Sequence, residues 1–427
     1  MPRSLPTCTL LFFVLAASTP SQVLCGTSRV AQAWYPGWHG KEFTPANVSW
    51  NKYTHMTYAF AELAIFSVPS ADLKTLNMSG SGPDVFPNWV KTAKANKVKA
   101  LVSIGGWTGS IYWSNAVAPA NCTKFIQTIT QFASSNKLDG LDFDWEYPAS
   151  QGIGCNTINA NDTANFIAFL EELRKDPIGK NLILTAATPI TPYNDASGNP
   201  STNLSRFANA LNYVALMDYD IWGPWVSPPL VGPNGPLDDL CTDKANQKGS
   251  AVSAVAAWKK AGIPYEKMLL GVPAYGHSYS VKKADAFVNG TQAKGLAAYP
   301  KFDAKVHPTG DRWDDPAGKD VCGNVNPAGG GSLSLSNGIF NFWGLIENGF
   351  LYQNGSARLP YRFDNCSKAS FVYNASSEVM VAYDSVDSFN AKGKYIASKR
   401  LAGFAIWQAG GDYKDLLLDG IRKGAGM

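Results

Sequence analysis

Three carboxylates stand at alternate positions in residues 138–148, which read LDGLDFDWEYP. In a β-strand, residues two apart point to the same face, so Asp142, Asp144 and Glu146 would lie on one face, about 6.5–7 Å apart at Cα. Negative charges this close repel, and we expect at least one of these carboxyls to have a raised pKa and to keep its proton near neutral pH. Such a group can give a proton to a substrate, so the run predicts acid–base chemistry.

Three other interpretations of this run fit the residues less well. A strand with one solvated face would explain the alternation, but charge tolerance alone rarely selects three acids over Thr, Lys or Gln. A helix would group Asp139, Asp142 and Glu146, yet Gly140, the aromatic residues and Pro148 oppose a helix. A hard-metal site would need more oxygen ligands than one strand can aim, and no second acidic cluster supplies them. We therefore predict no metal site.

The elements that must position these acids are predicted from short runs rich in β-branched and aromatic residues. Eight such runs are typical of strands: 30–35, 55–61, 99–105, 138–146, 182–188, 213–219, 268–275 and 402–408. Helical spacing of apolar residues occurs at 122–132, 164–173, 251–261 and 413–421. Strands that alternate with helices predict the α/β class and a (β/α)8 TIM barrel over residues 26–427. In such a barrel the acids would line the interior, with Glu146 nearest the C-terminal rim, where barrel enzymes keep their active sites.

The stretch between the seventh and eighth predicted strands, residues 276–401, is too long for one helix and two loops. Residues 279–375 mix short strand-like pieces with turns and with the glycine run 329–331. We predict that 279–375 form a small inserted α+β subdomain on the C-terminal rim, where it would wall one side of a cleft.

The acidic run also resembles a known signature. Asp139, Asp142, Asp144 and Glu146 are similar to the DxxDxDxE motif of the family 18 glycoside hydrolases, the chitinase family. Other segments agree: SIGG at 103–106 resembles the SxGG element of that family, MDYD at 217–220 resembles its MxYD element, and Trp407 matches its tryptophan at the end of strand eight. The resemblance covers essentially the whole chain after the N-terminal segment, including the insertion, as in secreted fungal-type chitinases.

This resemblance implies hydrolysis of β-1,4-linked N-acetylglucosamine polymers with retention and without a cofactor. The nucleophile would be the 2-acetamido oxygen of the substrate. Glu146 would protonate the glycosidic oxygen, Asp144 would hydrogen-bond the acetamide, Asp142 would share a proton with Asp144, and Tyr219 would orient the acetamide. The family also includes carbohydrate-binding proteins that have lost hydrolysis, usually at the position of Glu146, and endoglycosidases that act on N-glycans; both remain alternatives.

Substrate contacts are predicted at strand ends, because the apolar faces of sugar rings stack on aromatic side chains. The predicted substrate-binding residues are Tyr35, Phe60, Gly106, Trp107, Tyr147, Met217, Asp220, Trp222, Tyr275 and Trp407. Trp407 would form the floor under the sugar that is cleaved. Two departures from the family pattern stand out: His277 replaces an arginine found in many members, and Asp218 stands where threonine is common.

Composition favours a neutral partner and an extracellular destination. The 37 basic and 33 acidic residues give a formal charge of +4 without basic blocks, so neither nucleic acid nor a membrane is expected as a partner. We predict chitin or chito-oligosaccharides as partners, and a monomer. Residues 1–25 have the layout of a secretory signal peptide. Of the seven cysteines, Cys8 lies in the predicted signal peptide and Cys25 at its boundary; the other five are Cys122, Cys155, Cys241, Cys322 and Cys366. We expect disulfides, with six cysteines available to pair if Cys25 survives cleavage and one thiol left over if it does not. Sequons begin at Asn47, Asn77, Asn121, Asn161, Asn203, Asn289, Asn354, Asn365 and Asn374.

Overall fold

The structure is a computed structural model, and it describes residues 29–65, 71–314, 320–323 and 338–427. The predicted signal peptide, Cys25 and the glycine run 329–331 lie outside the described residues. Within those residues, no helix has both the length and the apolar character needed to cross a membrane.

Fourteen strands and eleven α-helices make up the described fold. The strands are β1 (Val30–Pro36), β2 (His55–Ile65), β3 (Ala71–Asn77), β4 (Lys99–Gly105), β5 (Gly140–Asp144), β6 (Ile183–Thr188), β7 (Tyr213–Leu216), β8 (Met268–Pro273), β9 (Tyr275–Ser280), β10 (Ile339–Asn341), β11 (Tyr361–Phe363), β12 (Ser370–Asn374), β13 (Val379–Tyr383) and β14 (Gly403–Trp407). The helices are α1 (Phe86–Ala95), α2 (Gly106–Gly109), α3 (Trp113–Ala116), α4 (Cys122–Ser135), α5 (Asp162–Leu173), α6 (Ser205–Ala210), α7 (Ala251–Lys260), α8 (Lys283–Ala286), α9 (Phe342–Glu347), α10 (Val386–Lys399) and α11 (Leu416–Ala425).

Eight parallel strands close into a barrel, which confirms the predicted (β/α)8 fold. Their order is β1, β2, β4, β5, β6, β7, β8 and β14, and β14 pairs with β1 to complete the ring. Successive side chains along each strand point alternately into the barrel and towards the surrounding helices. Trp34 of β1 belongs to the barrel interior, whereas its neighbour Tyr35 belongs to the core between the strands and the helices.

A second, antiparallel sheet occupies the chain between β8 and β14. Its order is β10, β9, β13, β12, β11, and a separate apolar core that includes Tyr279, Phe302 and Tyr373 lies against it. The sheet begins at Tyr275 and ends at Tyr383, so it extends beyond both limits of the predicted 279–375 segment. Only Ala274 separates the end of β8 from the start of β9, so the sheet is anchored directly on a barrel strand.

Two disulfides join the inserted segment to barrel loops. Cys155–Cys322 starts from the loop after β5, and Cys241–Cys366 starts from the loop after β7. Among the described residues Cys122, at the start of α4, has no disulfide partner.

Candidate active site

Asp142 lies inside the barrel, where three neighbouring strands supply hydrogen bonds to its carboxyl. Trp34 Nε1 (3.0 Å) and Ser103 Oγ (2.8 Å) donate to Oδ2, and Thr185 Oγ1 donates to Oδ1 (2.5 Å). Burial raises the pKa of Asp142, and these three hydrogen bonds oppose the rise. The carboxyl is thus held in one orientation from β1, β4 and β6.

Asp144 is the last residue of β5 and is almost fully buried. Its Oδ1 has no hydrogen-bond partner in the described part of the chain. Burial, followed by the charges of Glu146 and Asp142, raises its pKa well above the ordinary range. A buried carboxyl oxygen without a partner is available to accept a hydrogen bond from a ligand.

Glu146 lies two residues beyond the end of β5, although the sequence predicted a strand through residue 146. Its side chain is partly exposed. Burial raises the pKa of Glu146 to about 7, a hydrogen bond from Tyr147 lowers it, and the charge of Asp220 raises it further. A carboxyl with this pKa can exist in both protonation states near neutral pH, which general acid–base catalysis requires.

Tyr219 and Asp220 follow β7 and complete the group around the acids. The charges of Asp144 and Glu146, after burial, raise the pKa of the Tyr219 hydroxyl, which therefore remains a proton donor. Asp220 Oδ1 accepts a hydrogen bond from the Tyr275 hydroxyl (2.6 Å) and pairs with His277 Nε2 at 2.8 Å. His277, the departure from the family pattern, thus holds Asp220 at the cleft.

Asp218, the second departure, does not face the catalytic acids. Its fully buried carboxyl lies 3.8 Å from Lys392 Nζ, and Lys392 also pairs with Asp384. Burial raises the pKa of Asp218 to about 8. The added acid therefore belongs to the contact between the barrel and α10.

Three aromatic rings, those of Trp407, Phe60 and Trp38, are stacked at the mouth of the barrel, and we call this group the aromatic trough. Trp407 stacks on Phe60 (centroids 5.6 Å apart), and Trp38 stacks on Phe60 (6.0 Å). A Cβ at Gly106 would lie 2.8 Å from the Phe60 ring, so the absence of a side chain at this position leaves room for the ring. The sequence prediction missed Trp38, which is 40% exposed and lies in the short 3-10 turn directly after β1.

Two further tryptophans present their rings to solvent beyond this trough. Trp107, a predicted contact, is 43% exposed, and Trp225, which the prediction missed, is 46% exposed. Trp225 packs edge-on against His277, with ring centroids 5.2 Å apart. Trp38 and Trp225 share one sequence signal, because both follow a glycine closely in a loop after a barrel strand.

Two predicted substrate contacts are corrected by the structure. Tyr35 is fully buried outside the barrel, stacked on Tyr58, because it has the opposite parity to Trp34. Trp222 is also buried, with its ring packed near Tyr299. Neither ring can reach a ligand in the cleft.

The other predicted contacts lie at or under the mouth. Tyr147 and Trp407 are partly buried around it, together with Tyr219. Met217 is buried in the barrel interior, and the Tyr275 hydroxyl donates a hydrogen bond to Asp220. Among the described residues, no three His, Cys, Asp or Glu side chains are grouped so that they could hold a metal ion.

The family model of glycosyl hydrolases family 18 matches residues 31–412. A "chitinase-like effector" of Moniliophthora roreri is 50% identical over 424 residues, which cover 99% of this chain and 98% of that protein. Chitinase A1 of Niallia circulans is 25% identical and is matched over 95% of this chain and 60% of its own length.

Solved structures give the same assignment at the level of the fold. A chitinase from Rhizomucor miehei superposes with a TM-score of 0.79 at 28% identity, over 93% of this chain and 100% of that one. A mutant class V chitinase of Nicotiana tobaccum in complex with NAG4 has a TM-score of 0.70 at 23% identity, over 94% of this chain and 99% of its own.

Proposed function

The chain belongs to glycosyl hydrolases family 18, and we propose that it is a secreted chitinase that cleaves β-1,4-linked N-acetylglucosamine polymers. The observation that carries this proposal is the geometry around Glu146. A carboxyl with a pKa of about 7 lies beside a deeply buried acid pair, at the mouth of a barrel lined by tryptophans. Asp142 and Asp144 lie on the strand that leads to Glu146, so none of the three can act from the opposite side of a sugar.

We infer a mechanism in which the substrate supplies the nucleophile. Glu146 donates its proton to the glycosidic oxygen while the 2-acetamido oxygen attacks the anomeric carbon, which breaks the glycosidic bond and forms an oxazolinium ion. Asp144, whose Oδ1 has no partner in the described chain, hydrogen-bonds the acetamide N–H and stabilises the positive charge. Water then attacks the anomeric carbon and gives a proton to Glu146, while the bond from that carbon to the acetamide oxygen breaks and the acetamide is restored. Attack within one molecule corresponds to an effective molarity of about 10⁵–10⁸ M, which replaces an enzyme nucleophile.

The substrate would lie along the aromatic trough. Sugar rings present apolar faces, and the stacked group of Trp407, Phe60 and Trp38 offers a surface of that kind. Trp107 and Trp225 extend the exposed aromatic surface to other loops of the rim. Several sugar units would therefore be held together, which suits a polymer or a long oligosaccharide.

A second candidate function is chitin binding without turnover. The observation that favours it is the name of two relatives, the "chitinase-like effector" proteins of Moniliophthora roreri and Moniliophthora perniciosa, each 50% identical to this chain. The presence of Glu146 with a raised pKa favours hydrolysis instead.

One substitution tests the assignment of Glu146 as the acid. Glu146→Gln removes the proton donor but keeps the shape of the side chain, so we expect hydrolysis of chitin hexaose to fall by at least about 10²–10⁴-fold while binding is retained. Product release is followed by chromatography and binding by calorimetry. Glu266→Gln, at an exposed position, is the matched control and should leave turnover unchanged.

The wild-type protein decides between the activities in the same assay. Binding of the hexaose without cleavage would establish the lectin, and cleavage of a high-mannose glycopeptide alone would establish the N-glycan hydrolase. Residual turnover of Glu146→Gln near the wild-type rate would exclude Glu146 as the acid.

The stereochemistry of the product tests the substrate-assisted mechanism separately. Attack by the acetamide and then by water inverts the anomeric carbon twice, so the β-anomer should be released first. Proton NMR of fresh product measures the anomer directly, and initial α-anomer would contradict this mechanism.

We propose an extracellular destination from three features together. Residues 1–25 resemble a signal peptide, two disulfides join distant segments, and the sequon asparagines are all at least partly exposed in the structure. Mass spectrometry of the secreted protein would give both the cleavage site and the glycosylated asparagines.

A further inference from the structure

We propose that Ser110 and Asn156 are positioning residues that clamp the backbone of Glu146 and so hold its carboxyl in place for proton transfer. This inference rests on the proposed function, since it concerns the acid of that reaction. Neither residue belongs to the acidic run or to the aromatic trough. Ser110 directly follows α2, and Asn156 lies in the loop between β5 and α5.

Glu146 needs such support because it lies outside the barrel sheet. The pairing of β5 with β4 and with β6 ends at Asp144. No ladder hydrogen bonds of this sheet therefore fix the two residues that follow. Acid catalysis requires a group held to within about 0.5 Å, so another set of contacts must replace the ladder.

Ser110 supplies the contact on the amino side of Glu146. Its Oγ accepts a hydrogen bond from the Glu146 N–H (2.8 Å) and donates one to the Asp144 carbonyl (3.1 Å). The side chain is fully buried, so water does not compete for either bond. One hydroxyl thus bridges the backbone carbonyl before Trp145 and the backbone N–H after it.

Asn156 supplies the contact on the carboxyl side. Its Nδ2 donates to the Glu146 carbonyl (3.0 Å) and to the Ser110 carbonyl (3.2 Å), which links the two halves of the clamp. Its Oδ1 accepts from the Gly152 N–H (3.3 Å). A Cβ at Gly152 would lie 2.0 Å from the Glu146 carbonyl oxygen, so the loop packs directly on the residue it holds.

The loop that carries Asn156 is itself anchored on both sides. Cys155, the preceding residue, forms the disulfide with Cys322 of the inserted segment. Thr157, the following residue, donates its backbone N–H to the Ile111 carbonyl (2.8 Å), next to Ser110. Asn156 is therefore fixed in the position from which it reaches Glu146.

The test replaces each clamp residue and measures both rate and protonation. In Ser110→Ala and Asn156→Ala, the Glu146 carboxyl should move and become more hydrated. We expect kcat on chitin hexaose to fall about tenfold with KM nearly unchanged, and the alkaline limb of the kcat–pH profile to shift to lower pH. Ser110→Thr keeps the hydroxyl and should restore both values. Asn136→Ala removes a comparable side-chain hydrogen bond, to the Phe132 carbonyl, far from the site and is the matched control.

A second measurement works whether or not the protein turns over substrate. Carbon-13 NMR of carboxyl-labelled glutamate follows the titration of Glu146, identified by the signal that Glu146→Gln lacks. The clamp predicts a lower Glu146 pKa in both alanine variants and an unchanged value in Asn136→Ala. An unchanged Glu146 titration and an unchanged pH profile in folded alanine variants would overturn the clamp. If the alanine variants shift the Glu146 titration but the wild-type protein does not hydrolyse the substrate, only the proposed function is overturned.

Discussion

Burial makes Glu146 useful as an acid and at the same time makes it costly to the fold. The side chain is only partly exposed, so less water is available to stabilise its ionised form, and the pKa rises from 4.5 to about 7. An unfolded chain would ionise the same group near its ordinary pKa. The folded state therefore bears a cost that grows as the pH rises from about 4.5 to about 7, and the cost remains above that range.

Glu146→Gln should accordingly stabilise the protein at alkaline pH. The amide never ionises, so we expect the free energy of unfolding at pH 8 to rise by about 1–3 kcal/mol, and to change little at pH 4. Urea unfolding at both pH values measures the difference. Glu266→Gln, at an exposed position, is the control for the substitution itself. Equal effects of Glu146→Gln at both pH values would mean that Glu146 ionises normally in the folded state.

The sequence predicts some site residues and not others for a local physical reason. The period of a strand is two residues, so the alternation alone placed Asp142 and Asp144 inside the barrel. The same rule assigns Tyr35 to the outside of the barrel once Trp34 is known to face inward. The prediction of Tyr35 as a substrate contact was wrong because it considered only that an aromatic residue lies near the end of a strand. Trp38 and Trp225 lie in loops, where no period exists to predict their direction.

At the scale of elements, three buried ionisable groups connect the barrel to α10. Lys392 of α10 pairs with Asp384, after β13, and lies 3.8 Å from Asp218, after β7. All three side chains are buried, and one cation cannot balance two anions. Burial raises the pKa of Asp218 to about 8, so this carboxyl keeps its proton at neutral pH and the cluster stays balanced.

Removing the Lys392 cation should lower the free energy of unfolding far more than replacing Asp218, the acid that keeps its proton. Lys392→Met leaves Asp384 buried without a partner, and we expect a loss of about 3–5 kcal/mol in the free energy of unfolding. Asp218→Asn mimics the protonated acid and should cost less than about 1 kcal/mol at pH 7. Lys394→Met, at an exposed position of the same helix, is the control. Urea unfolding compares the variants, and equal losses for Lys392→Met and Asp218→Asn would show that Asp218 is ionised.

The elements themselves were largely predictable, because each barrel strand is a short apolar run between turn signals. The limits of the insertion were not. Strand β9 follows β8 after Ala274 alone, so the composition does not change where the barrel ends and the second sheet begins. Contacts between loops were not predictable either. Ser110 lies 36 positions from Glu146 and Asn156 lies 10 positions from it, and no sequence spacing indicates that they are in contact.

At the scale of the whole molecule, the inserted sheet is held to the barrel by covalent bonds as well as by packing. The two disulfides join residues 167 and 125 positions apart. Each restricts the unfolded chain over a long loop, which favours the folded state. Of these two bonds, Cys155–Cys322 is next to a residue that contacts Glu146, so the two should differ in their effect on catalysis.

We therefore expect the two disulfides to contribute similarly to stability and differently to turnover. Replacing both cysteines of either pair by serine should lower the free energy of unfolding by about 2–5 kcal/mol, measured by urea unfolding. Cys155→Ser with Cys322→Ser should also lower kcat on chitin hexaose, measured well below the unfolding temperature, because the loop that carries Asn156 loses one anchor. Cys241→Ser with Cys366→Ser should leave kcat unchanged, and Cys122→Ser, at a cysteine without a disulfide in the described structure, should alter neither quantity. Equal kcat values for the two double variants would mean that the contacts around Asn156 hold Glu146 without help from the disulfide.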